Sequence, residues 1–191
     1  MGLSEAPLKL PALTPWHVLE RRQLVRRSFL TLWEDKVRLS SGAEIDDFCV
    51  VDSPDWAAVL CITPERQVVL VRQYRHGLRG PSLELPAGAL EPGEDPLAGA
   101  RRELAEETGY ESDDWQRLLD VAVDPARARA RAHFYCALNA QQTRPQQLDA
   151  SEDLEALLLT REQLFEQIEA GELVHGVHIA AILMAERRGL L

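Results

Sequence analysis

Apolar and polar residues alternate in short runs from Trp16 to Val51, in WHVLERR, LVRRSFLTLWED, KVRLS and EIDDFCVV. Alternation rich in β-branched and aromatic residues marks strands with one solvated face. Three or four short strands are predicted, with Ser41-Gly42 turning the chain between the last two, as a small antiparallel sheet. Continuous apolar runs follow: WAAVLCIT and QVVLVRQYR, joined by Pro64-Glu65-Arg66, read as a hairpin of buried strands, and SLELPAG leads into a turn-rich stretch. There the period changes. Leu97, Ala100, Leu104 and Thr108 recur at helical spacing, with Asp95 as N-cap, Pro96 at the first helical position and Gly109 as a left-handed stop. WQRLLDVAV, ARAHFYCAL and DLEALLLT predict further strands. REQLFEQIEAG and residues 177–188 predict two closing helices, ended by Gly171 and Gly189. The sum is an α/β fold, a mixed sheet with helices on both faces.

Composition divides this pattern into three parts. Residues 1–15, with Pro7, Pro11 and Pro15, read as a loosely ordered arm; 16–53 form a β subdomain; 54–191 form the α/β domain. A length of 191 residues suits one domain with an appended subdomain. The net charge of −10 argues against general nucleic-acid binding, which favours basic surfaces, but not against a phosphorylated substrate whose charge a metal offsets. Cys49, Cys61 and Cys136 are isolated, odd in number and set in apolar runs. They read as reduced core residues of a cytoplasmic protein, with no disulfide framework and no zinc site. No apolar run approaches membrane-spanning length, and the first residues lack a signal-peptide core.

The densest chemistry lies in GALEPGEDPLAGARRELAEETGY, Gly88 to Tyr110. At about 100° per residue, Glu103 and Glu107 fall on one helical face with Glu106 beside them. Carboxylates crowded on one stripe repel, so a plain surface helix gains nothing from them. Hard divalent cations favour such oxygen arrays, above all when a substrate phosphate completes the shell. The segment resembles the Nudix box, Gly-x5-Glu-x7-Arg-Glu-(apolar)-x-Glu-Glu-x-Gly-(apolar), at Gly88, Glu94, Arg102, Glu103, Leu104, Glu106, Glu107, Gly109 and Tyr110. Each of the seven fixed Gly or charged positions matches by chance at roughly 7%, so their joint register is specific. The resemblance implies an α/β/α sandwich and a pyrophosphohydrolase using two or three Mg²⁺ or Mn²⁺ ions. Glu103, Glu106, Glu107 and the Ala87 carbonyl would be the ligands, with Glu106 sharing or bridging ions. Arg102 would hold the glutamates through Glu94 or Glu106.

Three features resemble the ADP-ribose and nucleotide-sugar pyrophosphatase branch: the strand-rich N-terminal section, the RQYR and ELPAG elements of VLVRQYRHGLRGPSLELPAG, and Pro125 beyond the box. That branch implies a homodimer built through the N-terminal subdomain, and cleavage of ADP-ribose to AMP and ribose 5-phosphate. It also implies a general base from the late loop LDASEDLEALLL, where Glu152 matches best and Asp153 and Glu155 compete. Arg72 or Arg75 would reach the substrate diphosphate, the alternative being an ion pair with Glu84. Trp16 or Trp33 could stack on adenine across a dimer, or pack in a core. The chain departs from the branch at VDPARARARAHF, where a Ser-Pro-Gly loop is usual. If that segment is a strand, Arg127, Arg129 and Arg131 share a face and Arg129 binds phosphate, or the three form a solvated edge. His175 and His178 read as structural. Two other functions stay open: hydrolysis of a triphosphate, dinucleotide, coenzyme or GDP-mannose, and silent nucleotide-sugar sensing.

Overall fold

The computed structural model describes residues 12–150 and 152–191. Most of the expected arm, residues 1–11, lies outside them, and residues 12–16 carry no regular element. The chain forms two compact units, one ending at Asp52 and the other spanning Ser53–Leu191. That boundary is one residue earlier than the sequence suggests.

The first unit is an antiparallel sheet of β1 (His17–Arg27), β2 (Leu30–Arg38) and β3 (Glu44–Asp52), in that order. Two expectations fail in detail. LVRRSFLTLWED is not one strand, because Ser28-Phe29 forms a tight turn that pairs Arg27 with Leu30. The chain also does not break at Asp35-Lys36; a register shift between Asp35 and Val37 lets β2 continue. The charged side chains at this point are paired along the strands. Asp35 is 3% exposed and takes Arg21 on both oxygens, at 2.7 and 2.5 Å. Lys36 bridges Glu44 and Asp46.

In the second unit, β4 (Trp56–Ile62), β5 (Val68–Arg75), β6 (Gly80–Glu84) and β7 (Ala87–Ala89) precede α1 (Pro96–Thr108). After it come β8 (Tyr110–Glu111), β9 (Asp114–Ala122), β10 (Arg131–Leu138), β11 (Gln141–Gln142), β12 (Leu154–Leu159), α2 (Arg161–Ala170) and α3 (Gly176–Arg187). Seven strands form a mixed sheet in the order β12-β5-β4-β10-β9, with β6 on β5 and β7 on β4; β4 and β10 run parallel. β11 and β8 pair separately. β4 and β5 pair only at Cys61 and Ile62, then part, and β6 and β7 occupy the opening between them.

Strand periodicity divides the core in two. Ala58, Leu60 and Ile62 pack on one face with Phe134 and the α2 and α3 residues Leu164, Ala181 and Ile182. Ala57, Val59 and Cys61 pack on the other with Ala100 and Leu104 of α1. The expected mixed sheet with helices on both faces is what forms. One strand expectation is overturned. Asp124–Arg127 make a turn, with the Asp124 carbonyl accepting from Arg127 and Ala128, and β10 starts only at Arg131. Arg127 and Arg129 therefore lie before the strand, and the three arginines share no strand face. Pro125, which lacks an N–H and fixes its own φ, favours the turn.

Candidate active site

β7 runs antiparallel to the start of β4, Ala58 facing Ala87 and Ala57 facing Gly88, which brings the turn-rich loop to α1. Asp95 caps the helix by accepting from Leu97 and Ala98, each at 3.1 Å, and Gly109 closes it at φ 74. With Leu97, Ala100 and Leu104 fixed on the sheet, Glu103 and Glu107 turn inward and are 6% and 3% exposed. Gly88 makes this possible. A Cβ there would fall inside the Glu103 carboxylate, so only glycine allows that group against the strand backbone.

Arg102 binds everything around it. Its guanidinium holds Glu94 on two oxygens at 3.0 Å each, Glu103 at 2.7 Å, Glu106 at 3.2 Å and the Ala89 carbonyl at 3.2 Å. Both partners expected for it are found, with Glu103 in addition. Arg102 keeps Glu94 below the ordinary carboxylate range.

Carboxylate oxygens of Glu103, Glu107 and Glu152 all lie within 4.8 Å of one another, and no other His, Cys, Asp or Glu group does so among the described residues. Burial pushes Glu107 up to about 8; the Ala87 N–H, at 2.9 Å, and Arg75 pull it back, while Glu103 and Glu152 add to the rise. Glu103 is raised for the same first reason, burial, against the pull of Arg102. Three acidic oxygens converging where two are dehydrated is costly as anions alone. A hard divalent cation removes that cost, so the donor set fits such an ion.

Glu152 is brought 45 residues along the chain from Glu107 by a strap over the end of α1. Gln147 donates to the Glu106 carbonyl at 2.9 Å, Thr143 to that of Gly109 at 2.9 Å, and the Gln146 side chain to that of Glu107 at 2.5 Å. Sequence pattern carries no signal for the strap, since irregular backbone has no period.

The other predicted residues are placed as follows. Glu106 stands outside the three-carboxylate group, half exposed and held by Arg102. Arg75 pairs with buried Glu84 at 2.9 and 2.5 Å, and Arg72 reaches Glu155 at 3.4 Å. Arg129 is exposed before β10. Trp33 lies on β2 with Arg21 stacked 5.5 Å from its ring centre. One cluster went unforeseen. His133 contacts Asp120 at 3.0 Å and Asp55 at 3.8 Å. His175 stacks on His178, whose Nδ1 accepts from the Leu85 N–H at 3.2 Å, consistent with a structural role.

Residues 52–180 match the NUDIX domain family model. The chain belongs to that family. It is 32% identical over 165 residues to the methanol dehydrogenase activator of Bacillus methanolicus, covering 86% of this chain and 89% of that one. It is 30% identical over 156 residues to the ADP-ribose pyrophosphatase of Bacillus subtilis, covering 81% and 83%. The crystal structure of an ADP compounds hydrolase superposes with a TM-score of 0.78 at 19% identity, over 95% of this chain and all of that one, a likeness of fold. The NUDIX chain is accordingly a pyrophosphohydrolase, and the resemblance read from Gly88 to Tyr110 is borne out.

Proposed function

We propose that this NUDIX hydrolase splits the diphosphate of a nucleoside diphosphate sugar, ADP-ribose above all, into AMP and ribose 5-phosphate, with Mg²⁺ or Mn²⁺ in the site. The observation that carries the reading is the meeting of Glu103 and Glu107 from the box with Glu152 from a distant loop. ADP-ribose pyrophosphatases are similar along most of the chain, which supports the substrate. GDP-mannose pyrophosphatases are similar over a shorter stretch, 136 residues in one case, and supply the competing base and sugar.

In this reading Glu103, Glu107 and the Ala87 carbonyl would hold the ions, with Glu106 as a further ligand. Divalent ions held there would supply charge to offset the diphosphate and to make a water more acidic. Glu152 accepts the proton of the attacking water as its oxygen bonds to phosphorus; the bridging oxygen departs with the second phosphate. Arg102 keeps the acidic side chains in register. Arg72, Arg75 or Arg129 contacts the diphosphate, and Glu84 orients Arg75.

The reading includes a homodimer through the N-terminal unit, which would bring Trp33 of one protomer to the adenine of the other. Support comes from β1, an edge strand with Val18 54% and Leu24 41% exposed, which a second copy would cover. It also includes the cytoplasm, for which the free thiols speak: Cys61 and Cys136, buried as expected, and Cys49, which lies exposed on β3 and not in a core. No helix among the described residues is long and apolar enough to cross a membrane.

A screen of ADP-ribose, ADP-glucose, GDP-mannose, UDP-sugars, dinucleotides and nucleoside triphosphates, with products identified, tests the proposal. Nucleoside monophosphate and a sugar phosphate, formed fastest from ADP-ribose, is the expected result. Pyrophosphate release from triphosphates as the main activity, or ADP-ribose binding without turnover, would contradict it.

A further inference from the structure

An α-helix leaves its last carbonyls without intrahelical donors. On α1 the Ala105 carbonyl takes the Gly109 N–H, and the strap supplies the rest. Glu106 receives the backbone of Gln147, Glu107 the side-chain amide of Gln146, and Thr108 the more distant amide of Gln142, at 3.4 Å. A second fastening lies alongside, where Glu111 takes Arg144 at 2.8 Å and the Thr143 hydroxyl. Gly109 lets the strap come this close, because a Cβ there would strike the Arg144 carbonyl.

Five residues after Gln147 the strap delivers Glu152. A turn fixes that residue: its N–H donates to the Asp149 carbonyl, and its carboxylate accepts from the Asp149 N–H, both at 2.9 Å. Glu107 thus sends its carboxylate to the site and its carbonyl to the strap that carries Glu152. One residue registers both.

We propose that Gln146 is a positioning residue, which by holding the strap on the Glu107 carbonyl sets the Glu152 carboxylate against Glu103 and Glu107. Gln147 does its share through the backbone, which any residue other than proline supplies. Gln146 acts through its side chain and can be removed without touching the site. The inference rests on the proposed reading of Glu152 as a member of the site.

The test is a double-mutant cycle on Mn²⁺ affinity, measured by titration calorimetry on the full chain. Gln146→Ala and Glu152→Gln are each expected to weaken binding about tenfold, the scale at which outer partners of a metal site act. The double variant should bind as Glu152→Gln alone does, since Gln146 works through Glu152. Gln146→Lys, which restores a donor to the carbonyl, should recover most of the affinity. Additive losses in the double variant, unchanged affinity in Gln146→Ala, no recovery by Gln146→Lys, or a Gln146→Ala chain that does not fold would overturn the proposal. So would a wild type without Mn²⁺ affinity. Because the cycle needs no substrate, a wild type inactive on ADP-ribose sinks the proposed reaction and leaves the cycle intact. Where ADP-ribose is turned over, Gln146→Ala lowers kcat and leaves KM unchanged, a split that loss of substrate binding would not give.

Discussion

Glu107 shows how burial and function meet in one side chain. It is 3% exposed, it accepts one backbone N–H, and burial raises its pKa to about 8. A carboxylate kept there without a cation is a cost to the fold. Glu107→Gln should therefore lower divalent-dependent turnover by at least about a hundredfold while leaving the melting temperature equal or higher. Near-normal turnover in that variant would remove Glu107 from the site. His178 makes an opposite kind of prediction. Burial, with His175 adding, depresses it to about 3, and its Nδ1 already accepts the Leu85 N–H. The unfolded chain binds that proton near pH 6.5 and the folded chain does not, so this group's stability is present above about pH 6.5 and lost as pH falls toward 3. Melting temperature should accordingly fall on acidification less steeply in His178→Gln, which keeps an acceptor without the titration, than in the wild type. Equal slopes would refute the assignment.

Among the elements, α1 was the most legible in sequence. Asp95, Pro96 and Gly109 fixed its ends, and Leu97, Ala100 and Leu104 its buried face, because caps and a helical period are local properties. From that face alone the inward turn of Glu103 and Glu107 follows. What local pattern could not reveal was distance in sequence: the strap across 142–147, the splaying of β4 from β5, and the approach of Gly88 to Glu103. Nor could alternating Arg-Ala reveal that Asp124-Pro125 starts a turn strong enough to hold Arg127 and Arg129 off the strand. Gly88→Ala tests the element-level account, since one methyl displaces the Glu103 carboxylate. We expect at least about a tenfold loss of divalent-ion affinity with Tm lowered by only a few degrees. Unchanged affinity would show that Glu103 can bind from elsewhere.

At the scale of the molecule, one sheet separates two duties. The face under α2 and α3 carries the larger aliphatic core, and the face under α1 carries the carboxylates. Strands β6 and β7, filling the opening between β4 and β5, bring Ala87 and Gly88 beneath the helix. The N-terminal sheet, predicted from alternation alone, stands as its own unit. Family membership follows from the box, but the base and sugar do not, because the residues that would choose them are scattered over separate elements. The most direct measurement is product analysis of ADP-ribose incubated with the metal-stripped wild type, before and after Mg²⁺ is restored. The account predicts no products at first, then AMP and ribose 5-phosphate in equal amounts. Equal turnover without divalent metal, or ADP-ribose left intact with it, would contradict the central claim.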